Sequence, residues 1–353
     1  MGKIFKSVIV FIVLFVVIPW IITWAVIYFA ATPITNKFLN YYLNTEARVE
    51  KVETNIWLNN YLFEKLTILN PKGFGKGPLM KTEDIYLTFL PKTFYTFKPY
   101  LDLKVKNLYF HYIRKSDNST NIAVALGLPV IKGKVSPLDF EVKNTDIDVH
   151  VRTKKDIKFS AGGKFIGLGN NALFSLNGTA DLSSSKKPLV TLNFVVNNWE
   201  LKDIKVLKQL AIILNQPSLE NLKLSRIVGS LRLEGDLITF GDVYLYTIDY
   251  LFAKVEKGST YNRITKELHI KLDIFNPIKA SILIEGTSEN PRVKILKFDI
   301  NSLKNLNVKS LINKPSQTLE KTIENPVNKI KQEIEKEKTL EPIKNILNQI
   351  KLP

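Results

Sequence analysis

Cysteine is absent from this chain, which excludes disulfide scaffolds, thiolate zinc sites and thiol nucleophiles. Histidine is scarce. The three present, His111, His150 and His269, fall on different alternating segments, with neither HExxH nor His-x-His spacing to suggest a metal site. No GxSxG elbow occurs, and GGKFIGLGN has neither the GxGxxG order nor the GK[ST] ending of a phosphate loop. Asp146 with Asp148, and Glu234 with Asp236, sit two apart as carboxylates on one strand face would, but solvated faces are the commoner reason for that spacing. The reading is a chain that is not an enzyme and takes no cofactor.

Charge of one sign is in excess, at a formal +17. Lysines are nevertheless scattered singly, without a zinc, helix-turn-helix or RNP pattern, so nucleic acid is not the expected partner. A solvated basic surface near anionic headgroups accounts for the balance more simply.

Long hydrophobic runs are also lacking, with one exception. Ser7 to Ala31, SVIVFIVLFVVIPWIITWAVIYFAA, carries no charged residue, and as a helix reaches roughly 37 Å, enough to cross a bilayer core. A cleavable signal has a much shorter apolar core, so an uncleaved single-pass anchor is expected. Trp20, Trp24 and Tyr28 recur every four residues and share one helix face. Cations flank the run almost evenly, Lys3 and Lys6 before it and Lys37, Arg48 and Lys51 after it. Because long domains translocate largely regardless of charge, the expectation is residues 1–6 in the cytoplasm, the helix over 7–31, and the bulk exported.

Beyond the anchor the dominant period is two, the mark of half-buried strands. Ile85, Leu87 and Phe89 alternate with polar positions, as do Leu101, Leu103 and Val105, then Phe174 and Leu176, then Leu192 and Phe194, then Leu268, Ile270 and Leu272. Turn clusters such as NPKGFGKG, DLSSSKKP and EKGSTYNR divide them into an antiparallel meander. Two segments change phase midway: LDLKVKNLYFHYI at Lys106 and Asn107, and FEVKNTDIDVHV at Asn144, which predicts a bulge in each. Asp203 to Asn215 has the best helical period in the middle of the chain. Past Asn301, Lys, Glu, Asn and Ile with prolines at 326 and 342 predict short amphipathic helices.

The expected fold is therefore mainly β: one amino-terminal transmembrane helix, a long curved antiparallel sheet over 32–300 forming an open groove, a few helices, and a helical tail over 301–353. A sheet with one apolar face must close on itself or leave a trough, and for a tethered trough the nearest apolar ligand is lipid. The lining candidates are the alternating residues named above together with Leu66 and Ile68.

Two stretches resemble a known family. LTILNPKGFGKGPLMKTEDIYLTFLPKTFYTFKPYLDLKVKNLYFHYI, with its turn Asn70, Pro71, Gly73 and Phe74, is similar to the start of the AsmA-like family. The segment from GSLRLEGDLITF to SENPRVKI, with Gly286, Thr287, Asn290 and Pro291, resembles that family's carboxy-terminal part. The resemblance implies a bacterial inner-membrane protein with its bulk in the periplasm and a β-groove related to bridge-like lipid-transfer proteins. Phospholipid, the inner membrane and other envelope proteins would be its partners, and outer-membrane or envelope lipid homeostasis its role. The chain departs from the larger members in being short. The alternative is an anchored structural adaptor or secretion-system scaffold without lipid cargo.

Overall fold

In the computed structural model the described residues are 13–96, 98, 100–130, 132–184, 187–202, 207, 208, 211, 217–248, 250–276 and 279–299. The tail over 301–353, residues 1–12 and most of the segment Asp203 to Asn215 lie outside them. The chain forms two compact units, divided between Asn198 and Trp199. Both are mainly antiparallel β.

The first unit opens on a π-helical turn, Val13–Val17, that leads into helix α1, Ile18–Tyr42. Pro19 stands in the first turn of α1, where a missing N–H costs nothing. The helix does not stop at Ala31 but continues through Pro33 to Tyr42, ending where Leu43 turns extended. Over Phe15–Tyr42 it is long and apolar enough to cross a membrane, with mean hydropathy 2.0.

Two short strands follow, β1 (Ala47–Arg48) and β2 (Lys51–Thr54). Then come β3 (Asn60–Glu64), β4 (Thr67–Leu69), β5 (Pro78–Lys81) and β6 (Asp84–Phe89). Five long strands build the body, the last of them crossing the division: β7 (Leu101–Arg114), β8 (Leu138–Thr153), β9 (Asp156–Gly167), β10 (Asn170–Asp181) and β11 (Leu189–Lys202). Pairing runs β2, β3, β6, β7, β8, β9, β10, β11, with β1, β4 and β5 joining β7 alongside β6. Short helices α2 (Pro91–Thr96) and α3 (Asn121–Ala125) lie in connections.

Both phase changes in the sequence are bulges. Register slips between Val105 and Leu108 in β7, and between Lys143 and Asp146 in β8. Asn107 and Asn144 carry the left-handed backbone, φ 50° and 48°, that asparagine tolerates better than most residues. The freed Asn107 N–H is taken up by the Asp146 carboxylate at 3.0 Å. Because both strands slip at the same height, their inner faces stay in phase across the bend.

The second unit holds β12 (Asn221–Glu234), β13 (Leu237–Tyr246), β14 (Leu251–Val255), β15 (Thr260–Asn262), β16 (Glu267–Ile274), β17 (Ala280–Thr287) and β18 (Pro291–Phe298). They pair in sequence order, β14 and β15 sharing the space between β13 and β16. This unit has a closed core. Ile282 and Ala253 are 0 % exposed, packed with Leu219, Leu224 and Phe252 and with Leu207 and Ala211. Those last two, with Lys208, are the described helical residues of the segment predicted as a helix.

Candidate functional site

Register brings the alternating residues of the first unit onto one face. One row reads Val52, Phe63, Ile85, Val105, Ile147, Ala161, Leu176 and Phe194, each directly opposite the next across a strand pair. The next reads Tyr61, Leu87, Leu103, Val149, Phe159, Gly178 and Leu192. A third begins at Phe89 and Leu101 and ends at Ala180 and Val190. Beyond the bulges a fourth row joins Ile68, Met80, Phe110, Val142 and Phe165. Tyr112, Phe140 and Phe165 stack there with ring centroids 5.1 and 5.3 Å apart. At about 4.8 Å per strand the first row spans roughly 34 Å.

Helix α1 covers one margin of this face. Ala31 and Leu39 pack against a small buried core of Val49, Val52 and Leu66, and Phe63, Ile68, Met80 and Ile85 of the sheet pack against the same core. Farther along, Leu103, Val149, Phe159, Leu176, Leu192 and Phe194 remain half-buried, shielded by their neighbours in the sheet rather than by a second layer among the described residues of this unit.

The opposite face is polar. Asp102 binds His150 and Arg152, each at 2.7 Å. These two hydrogen bonds hold its carboxyl below the usual range against the opposing effect of burial. Lys104 lies 3.6 Å from Asp148. Nearer the bulge, Glu141 accepts from Lys143 and from the Tyr109 hydroxyl, both at 2.6 Å, and the Lys143 bond followed by the Tyr109 bond lowers its pKa. Burial first, then Glu141, raises the Tyr109 hydroxyl far above the ordinary phenol.

Ile68, Ile85, Leu87, Phe89, Leu101, Leu103, Val105, Phe174, Leu176, Leu192 and Phe194 share the apolar face. Leu66 does not line it openly, being buried in the small core under α1. The three in the second unit are placed differently. Leu272 is buried in the closed core of that unit, and Leu268 and Ile270 pack against the same core, so they support that unit instead of extending an open wall. Ile157 and Phe159 belong to the face but escaped the sequence reading, because the glycines of FSAGGKFIG dilute the alternation.

The turn residues have structural work. Gly73, at φ 90°, lets the Phe74 N–H return to the Pro71 carbonyl, and Phe74 is buried under the Lys115 ammonium, 4.3 Å from the ring centroid. Asn70 accepts from Asn121, which is 0 % exposed and also binds the backbone of His111, Ile113 and Ile122. In the β17–β18 hairpin, Asn290 N–H binds Thr287, and a side chain on Gly286 would meet the Asn290 carbonyl at 2.7 Å, just before Pro291. The glycines of GGKFIGLGN belong to β9 and the turn into β10.

Of the discounted groups, Asp146 caps the β7 bulge, and Asp236 and Glu234 pair with Arg263 and Arg232. Each histidine faces a carboxylate: His111 with Asp139, His150 with Asp102, His269 with Glu285. Among the described residues no group of His, Asp and Glu is arranged to hold a metal. No family model, curated protein or solved structure matches this chain.

Proposed function

We propose that this chain is a membrane-anchored lipid-binding protein whose apolar sheet face in the first unit takes acyl chains. The observation that carries the reading is the unbroken register from Phe63 to Phe194, which leaves an apolar wall half-buried beside a helix able to enter a bilayer. Burying a methylene is worth about 0.8 kcal/mol, so such a wall can hold a lipid tail through shape and apolarity alone. The motifs around Asn70 and Asn290 that resemble the AsmA-like family support a finer version of the proposal. In it the helix sits in a bacterial inner membrane, the sheet lies in the periplasm, and lipid is moved for envelope or outer-membrane homeostasis.

The direct test places photocrosslinking residues at Leu103 and Phe194 of the full chain in membranes. Phospholipid adducts at both positions support the proposal. Absence of adducts at both, together with a stable protein partner on purification, replaces it with the adaptor reading.

A further inference from the structure

The sheet of the first unit has one end near the start of α1. The Trp20 indole N–H binds the Ile56 carbonyl at 2.8 Å, and the Trp24 indole reaches the Thr54 carbonyl at 3.3 Å. The helix therefore meets the β2–β3 turn at the level of its own tryptophans. Register carries three further connections to this end. The β3–β6 pair closes at Asn60 and Thr88, which brings α2 there. Leu101 opposite Val151 brings the β8–β9 turn, and Ile157 opposite Ala180 brings the β10–β11 connection.

The β2–β3 turn and α2 hold large apolar groups outward. Asn55 grips the β2–β3 turn through bonds from the N–H groups of Asn59 and Asn60, while Trp57 stays 70 % exposed. The Thr93 hydroxyl ties α2 to Tyr100, donating to its carbonyl and accepting from its N–H, while Phe94 and Tyr95 stay 55 % and 70 % exposed. Lys92, Lys154 and Lys155 are exposed on the same connections. Asp156 and Asp181 stand near the last two lysines, so the local charge is positive but not unopposed.

We infer that this end is a bilayer-docking rim: Trp57, Phe94 and Tyr95 enter the interfacial layer of the leaflet that α1 crosses, and Lys92, Lys154 and Lys155 meet anionic phospholipid headgroups. Aromatic rings with a polar edge favour that layer, and juxtamembrane lysines gain from its negative potential. The occupant follows from continuity with α1. A span that ends at Trp24, the uncharged run of 18 residues from Ser7, is long enough for the bilayer core and leaves the turn beside Trp20 and Trp24 at the headgroups. The rim would seat the mouth of the apolar face on the membrane surface. This inference rests on reading α1 as the anchor.

The absence of cysteine permits clean single labelling of the full chain. Nitroxides are attached to W57C, F94C and, as a control at the opposite end, L128C, an exposed position in the β7–β8 connection. The labelled proteins are reconstituted into phosphatidylcholine vesicles with about 30 mol% phosphatidylglycerol, an anionic fraction chosen to give a negative surface. The expected result is that labels at 57 and 94 are more accessible to oxygen than to a polar nickel chelate, and the label at 128 the reverse. All three behaving as aqueous overturns the rim. A carbonate wash of the same vesicles separates the causes: retained protein with aqueous labels refutes the rim alone, and stripped protein refutes the anchor with it. In phosphatidylcholine alone, or with K92Q/K154Q/K155Q, immersion at 94 should fall roughly two-fold; no change in either removes the headgroup assignment.

Discussion

Asn36 and Val49 exchange two hydrogen bonds: the Asn36 amide donates to the Val49 carbonyl at 3.0 Å and accepts from the Val49 N–H at 2.7 Å. A helix side chain thus stands where a neighbouring strand would pair. Asn40 does the same for Ala47, Thr32 accepts from Val52, and Trp24 and Trp20 complete the series at Thr54 and Ile56. The geometry permits it because four helical residues rise about 6 Å, close to the 6.6 Å of two strand residues. From Asn40 to Trp20 the helix therefore keeps step with the edge from Ala47 to Ile56, and an exposed edge that would invite aggregation is closed.

Replacing Asn36 with Leu keeps the side-chain volume but leaves both polar groups of Val49, a residue 1 % exposed, without partners. A loss of about 1–3 kcal/mol is expected. Hydrogen exchange at the Val49 amide should accelerate well before that at Val105, and equal protection at Val49 in both proteins would contradict the pairing.

Phe194 and Asn193 are chain neighbours on opposite faces. Phe194→Asp should reduce co-purifying lipid about ten-fold, since burying a phenyl ring against a ligand contributes around 1.5–3 kcal/mol. Asn193→Asp should leave it unchanged. Quantitative lipid mass spectrometry of the two variants decides whether the apolar face holds the lipid.

Gly163 lies against the β8 bulge, and an added Cβ would stand 1.9 Å from the Thr145 hydroxyl and 2.9 Å from the Thr145 Cα. Backbone cannot yield as a flexible side-chain tip does, so Gly163→Ala should destabilise the first unit by about 1–3 kcal/mol. Pairing it with Thr145→Ala removes only the hydroxyl clash and should restore part of the loss in thermal unfolding.

The Tyr109, Glu141 and Lys143 cluster should limit the pH range from both sides. Glu141 has a folded pKa below its ordinary 4.5, so its contribution is complete above that value and lost as pH falls through the lowered one. Tyr109 has a folded pKa above its ordinary 10.0, so its contribution is present below pH 10 and lost as pH rises further. Glu141→Gln should lower the melting temperature at neutral pH and flatten its decline between about pH 5 and pH 3. An unaltered acid limb would remove Glu141 as a contributor.

Alternation and phase were legible because both are local. The polar residues between Leu101, Leu103 and Val105, and the slips at Asn107 and Asn144, are written into neighbouring positions, and the strands and bulges form there. The four-residue recurrence of Trp20, Trp24 and Tyr28 was equally visible, but its continuation into Thr32, Asn36 and Asn40 was not recognised. A stripe that changes from aromatic to amide has no constant hydropathy, and its meaning depends on an edge strand that lies later in the chain. Asn121 carries no local signal for a similar reason, since Asn70, His111 and Ile113 are brought to it only by the fold.

The sequence by itself determined a helix able to enter a membrane, a succession of two-faced strands, and the points at which they bend, because each follows from the hydropathy and backbone preference of adjacent residues. Tertiary structure decided what those faces meet. Leu103 and Leu272 sit in equivalent alternating patterns, yet one belongs to a half-buried wall and the other to a closed core. The difference is whether another element packs above the strand, and that depends on contacts between residues far apart in the chain, which no local pattern encodes.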